Sequence, residues 1–149
     1  MTTASVTSSA AAVAANKQLA IRFLELVAAH DIDALCALVT PTWTMTGGPP
    51  GLPAGPEGIR ILFGTFGKIE QEWAAQDVIA EGDRVVVRAV NTCDQETFLG
   101  VPSNGRTQVF TATFVHRIAG TPDRPLIDQT WRNADDLGRL LQLGAKIVA

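Results

Sequence analysis

Residues 106–118 alternate as a long β-strand, with Phe110, Ala112, Phe114, His116 and Ile118 sharing one face. His116 is the ionisable member of that apolar set, which makes it a candidate acid or base. Residues 126–133 read as the next strand and divide into Leu126, Asp128, Thr130 and Arg132 against Ile127, Gln129, Trp131 and Asn133. A hairpin joining the two strands pairs residues whose numbers sum to about 244 or 246. Either register puts His116 beside 128–130 and Arg132 beside Ala112 or Phe114. An inward His, Asp and Arg could together remove a proton from a carbon next to a carbonyl. His116 would be the base or acid, Asp128 would orient it, and Arg132 would clamp the developing enolate. Arg132 cannot itself be the base, because guanidinium does not deprotonate in proteins. A buried Arg needs an anion close by, and Asp128, Asp135 or a ligand oxygen are the candidates. The simpler alternative makes His116 a hydrogen-bonded rim residue and Arg132 half of a structural ion pair.

Other chemistries find little support. The two histidines, His30 and His116, belong to no His/Cys/Asp cluster, so no metal site is expected. Cys36 and Cys93 lack metal-ligand spacing and read as reduced thiols. A net charge of −3 with no basic run argues against nucleic acid as a partner. Residues 1–15 carry no Lys or Arg and read as a flexible tail rather than a secretory signal. No apolar run approaches a membrane span, and a cytoplasmic protein is expected.

The elements that must position these groups follow from periodicity. Leu19, Phe23, Leu26 and Val27 lie at helical spacing within 14–30. Asp31 or Asp33 caps a second helix with Ile32, Leu35, Cys36 and Val39 as its stripe, and Pro41 stops it. Residues 43–46 read as a short strand, followed by a Gly/Pro loop at 47–53. Pro56 starts a third helix with Ile59, Leu62, Phe63 and Phe66 on one face. Strands follow at 70–80 and 84–92, and 99–105 is a turn-rich connection to the long strand. Asp135 or Asp136 caps a final helix with Leu137, Leu140 and Leu141 on one side. Helices, then strands, then a short helix is the order of one α+β domain over 16–149. Its curved antiparallel sheet should wrap a pocket that the N-terminal helices cover.

Several segments carry a family likeness. Gly48-Pro49-Pro50-Gly51-Leu52-Pro53-Ala54-Gly55-Pro56-Glu57-Gly58 resembles the loop and helix start of SnoaL-like polyketide cyclases. Ala80-Glu81-Gly82-Asp83-Arg84-Val85-Val86-Val87-Arg88 and Phe98-Leu99-Gly100-Val101-Pro102, followed by Asn104-Gly105-Arg106, are similar to the same family. So are Asp135, Gly138 and the ending Leu140-Leu141-Gln142-Leu143-Gly144. The matches lie in order across residues 17–144. The resemblance implies the cone-shaped α+β barrel of nuclear transport factor 2 and ketosteroid isomerase, with a homodimer formed through the outer sheet face. It implies an apolar pocket for a small hydrophobic molecule, lined from among Trp43, Met45, Phe63, Phe66, Phe110, Phe114 and Thr130. It also implies ring closure of an aromatic polyketide by an intramolecular aldol step without cofactor, a lyase- or isomerase-type reaction of secondary metabolite biosynthesis. The acid/base positions of those cyclases depart here. The last-strand Asp falls at Arg132 and a preceding His at Thr130, an inward His at Phe114, and first-strand Asn/Asp and His at Met45 and Thr46. That mechanism therefore does not transfer as it stands. The functional expectation is a cyclase or isomerase acting on a hydrophobic, polyketide-like carbonyl compound. A non-catalytic binding protein and an epoxide hydrolase-type enzyme are the alternatives on this fold.

Overall fold

A computed structural model describes residues 9–149. Its elements are α1 (Ala10–Ala29), α2 (Ile32–Cys36), β1 (Val39–Thr46), α3 (Pro56–Gly64), β2 (Ile69–Glu81), β3 (Arg84–Gln95), β4 (Thr97–Phe98), β5 (Val101–Pro102), β6 (Gln108–Thr121), β7 (Arg124–Ala134) and α4 (Asp136–Gln142). This is the expected mixed α+β fold. Helix α1 starts at Ala10, ahead of the expected 14, because Ser9 Oγ accepts the Ala12 N–H at 3.1 Å and caps the first turn. Residues 10–15, expected as tail, are thus helical, and 1–8 lie outside the described residues. The helix closes at His30, whose left-handed φ of 55° lets its N–H return to Leu26 and Val27.

The five long strands form one curved sheet in the order β1-β7-β6-β3-β2, and β4 and β5 pair as a small separate hairpin. Strands β2, β3, β6 and β7 run antiparallel, whereas β1 joins β7 in parallel. The sheet is therefore mixed rather than wholly antiparallel. The chain leaves β1 through a loop and α3 instead of a hairpin, which frees its direction. β1 also starts earlier than expected and runs through Pro41. An edge strand tolerates proline, whose missing N–H costs no ladder bond on the open side.

One buried cluster joins Leu19, Phe23, Leu26 and Val27 of α1, Ile59, Leu62 and Phe63 of α3, and the inward residues of β3 and β6. The face assigned to the long strand holds: Phe110, Ala112, Phe114, His116 and Ile118 are all buried. The β6–β7 register sums to 246 from Ala112↔Ala134 to Arg117↔Gln129, so His116 faces Thr130 and Phe114 faces Arg132. A bulge then shifts the ladder between Arg117 and Ile118 and leaves Asp128 without a direct partner. Unbroken alternation would place Asp128 inward with Thr130. The extra residue instead buries Ile127 and Thr130 and turns Asp128 to the other face.

β1 ends against β7 at Gly47, whose φ is 85° and whose missing Cβ makes room for the Arg132 carbonyl. Gly47→Ala should lower stability by about 2 kcal/mol or more. The check is a lower urea midpoint at unchanged slope.

Candidate functional site

A cavity of about 430 Å³ opens between α1, α3, the floor of β2, β3 and β6, and the β4–β5 turn. Its apolar wall comes from Phe23 and Val27 of α1, Phe63 and Phe66 at the α3 end, and Phe110 and Phe114 of β6. Trp73 meets Phe110 and Phe114 edge-on, with ring centroids 5.7 and 5.4 Å apart, and Phe63 meets Phe66 at 5.0 Å. Tilted rings of this kind hold each other in place. Met45 also lines the cavity.

The polar groups separate into three systems. The first is in the core. The Trp43 indole N–H donates to Thr130 Oγ1 at 3.1 Å, and Thr130 Oγ1 lies 2.8 Å from His116 Nδ1. All three residues are fully buried and none of them lines the cavity. The His116 ring stacks parallel to Phe114 at 6.1 Å and touches Phe23 at 5.3 Å. Among the described residues nothing partners its Nε2. Burial lowers the His116 pKa from 6.5 to about 4, so the ring is neutral near pH 7.

The second system lies on the outer side of the sheet. Asp128 accepts from Thr40 at 2.8 Å and Thr42 at 2.6 Å and is ion-paired with Arg117. The Thr42 and Thr40 bonds, then Arg117, lower its pKa from 3.8 to about 2. Asp128 therefore does not orient His116, and the expected His–Asp–Arg cluster does not form. The bulge is the reason.

The third system is in the cavity. Arg132 lines it, but its bidentate partner is Asp136, at 2.9 and 2.7 Å, with Gly47 O at 3.0 Å. Neither Asp128 nor Asp135 serves as its counter-ion, since Asp135 is held as the α4 cap by the Gly138 N–H at 2.8 Å. The buried cation that sequence reasoning missed is Arg139, which is only 5% exposed. Its Nε donates to Gln108 Oε1 at 2.6 Å, and Nη2 donates to Gln95 and to Cys93 Sγ. The guanidinium lies 3.8 Å from the Phe98 ring centroid and 4.8 Å from that of Phe110. Among the described residues no carboxylate forms an ion pair with it and no hydrogen bond reaches Nη1. Burial lowers its pKa, yet a guanidinium stays charged at any ordinary pH. The final helix shows why it was overlooked. Leu137 and Leu141 are exposed, and Arg139 and Leu143 turn inward instead. The helical spacing of Asp136, Arg139 and Leu143 was the available signal.

A domain with this sheet order, helical cover and largely apolar cavity has the cone-shaped α+β fold. The chain belongs to the SnoaL-like domain family, whose profile matches residues 20–121. Among solved structures it is similar to TsrD from Streptomyces laurentii, at 25% identity and TM-score 0.76, covering 93% of this chain and 99% of that one. A SnoaL-like polyketide cyclase from Agrobacterium tumefaciens shares the fold at 20% identity and TM-score 0.69, over 87% and 98%. An LEH-like epoxide hydrolase from M. tuberculosis does so at 14% identity and TM-score 0.66, over 89% of each chain. No curated protein matches the chain. No helix among the described residues is long and apolar enough to cross a membrane.

The buried histidine gives a pH signature. The unfolded chain takes up the His116 proton near pH 6.5 and the folded one only near 4. Stability should be full above pH 6.5 and fall by about 3 kcal/mol as pH drops to 4. Asp128 acts in a separate window, losing its contribution from 3.8 down to about 2. Denaturation of wild type and His116→Gln between pH 7 and 4 checks this, and the variant should lose the upper slope.

Proposed function

We propose that this chain is a cyclase- or isomerase-type enzyme acting on a hydrophobic, polyketide-like carbonyl compound, using its own side chains and no cofactor. One observation carries the reading. The Arg139 guanidinium is buried in an aromatic cavity and, among the described residues, is ion-paired with no carboxylate and has no partner at Nη1. A buried, uncompensated charge costs several kcal/mol unless an anion or a developing anion meets it. An enolate oxygen is such a partner, and a guanidinium already fixed in place stabilises it without reorganisation. The aromatic walls hold a flexible chain folded back on itself, which supplies proximity. Asp136, the carboxylate on the cavity wall, is the candidate proton acceptor, and Arg132 grips both of its oxygens. His116, Thr130 and Trp43 then support the cavity from behind through Phe114 and Phe23, and Met45, Phe63, Phe66, Phe110 and Phe114 contact substrate. Exposed Ile79 and Val109 on the outer sheet face support a homodimer through that face.

The epoxide-opening alternative needs two carboxylates around a water, and Asp136 stands alone among the lining residues. A carrier that binds the same compounds without turnover is the outcome that opposes this proposal.

The probe is 2-acetylphenylacetone, which closes by intramolecular aldol condensation, with loss of one water, to 3-methyl-1-naphthol. Wild type should accelerate naphthol formation over buffer, and Arg139→Met should lower the gain by about a hundredfold while the protein stays folded. Binding of the diketone with no gain over the spontaneous rate would make the chain a carrier.

A further inference from the structure

Next to Arg139 the cavity floor holds a second polar feature. On β3 the inward residues change from Val85, Val87 and Ala89 to Asn91, Cys93 and Gln95. Asn91 is fully buried, lines the cavity and lies across the ladder from Phe110, the ring beneath Arg139. Gln71 of β2 lines the cavity beside it.

The orientation of both amides is fixed by a donor that cannot be reversed. The Trp73 indole N–H only donates, and it donates to Gln71 Oε1 at 3.1 Å. That makes the other Gln71 atom the NH₂ group. Asn91 Nδ2 donates to the same Oε1 at 3.0 Å, so the remaining Asn91 atom is the carbonyl oxygen. Among the described residues two buried atoms are then left without protein partners: Asn91 Oδ1, an acceptor, and Gln71 Nε2, a donor. Buried amides in native proteins are nearly always satisfied, so an orphan acceptor and an orphan donor on two linked amides of cavity-lining residues call for a complementary pair.

We infer that Gln71 and Asn91 form a specificity subsite that reads a hydroxyl group on the ring system of a flat ligand. The ligand O–H donates to Asn91 Oδ1, and an oxygen lone pair accepts from Gln71 Nε2. The substrate or product class is thereby narrowed to a phenol or enol, as distinct from a bare hydrocarbon or a methyl ether. The inference rests on the cavity being the ligand site, but not on turnover there. Trp73 is a positioning residue that fixes the polarity of the pair.

The test compares 2-naphthol with 2-methoxynaphthalene by calorimetry at pH 6, where the naphthol is neutral. The two share a ring system, and the ether keeps the acceptor but loses the donor. An ether that displaces water from Asn91 without replacing its hydrogen bond loses affinity. Wild type should prefer the naphthol by about tenfold or more. Asn91→Leu should abolish the preference while still binding the ether. Equal affinities in wild type, failure of wild type to bind either compound, or a preference that survives Asn91→Leu would overturn the inference. The wild-type comparison stands even if the Leu variant does not fold. If 2-acetylphenylacetone is not turned over and the naphthol preference persists, only the cyclase reading fails. If the preference is missing and turnover is present, only this inference fails.

Discussion

At the centre of the cavity is a buried charge that, among the described residues, has no direct ion-pair partner. Placing Arg139 over the Phe98 and Phe110 rings removes a guanidinium from water, and the groups returned to it are the amides of Gln108 and Gln95 and the Cys93 thiol. Such dipoles solvate a cation without cancelling its field, and in a low-dielectric setting that field reaches whatever occupies the cavity. Asp136 could have served as counter-ion, but both of its oxygens are held by Arg132. Asp136 therefore acts on Arg139 through space and not as a direct ion-pair partner.

A single inserted residue divides the other polar groups between environments. The bulge in β7 sends Asp128 to Arg117, Thr40 and Thr42 on one side of the sheet and leaves Thr130 facing His116 on the other. Without the Asp128 carboxylate His116 has no reason to ionise, and its apolar neighbours Phe114 and Phe23 keep it neutral. A histidine in that state packs like an aromatic ring with one polar edge. It supports the cavity wall through Phe114, which is itself a lining residue.

Much of the fold was legible because burial follows period. The faces of α1 and β6 and the placing of His116 beside residues 128–130 came from alternation and turn length, and the structure selects Thr130 as the direct partner. The parallel pairing of β1 was not legible, since period two carries no strand direction. The site was harder for two physical reasons. A bulge reverses alternation and leaves no compositional mark, so Asp128 was placed on the wrong face. Arg139 was hidden because a polar stripe on a short terminal helix reads as its solvated side, whereas here the leucines are exposed and the arginine is not. Asn91 and Gln71 could have been found by extending the inward phase of β3 past Ala89 and pairing it with β2.

The most direct test of the account is the infrared carbonyl stretch of 2-acetonaphthone, ¹³C-labelled at the carbonyl, bound in the cavity. A guanidinium with a free N–H pair should polarise the bond and shift the band below its position in water, and Arg139→Met should return it to a higher wavenumber. A bound band at the position found in hydrocarbon solvent, unchanged by Arg139→Met, would contradict the claim that Arg139 is the electrophilic centre of this site.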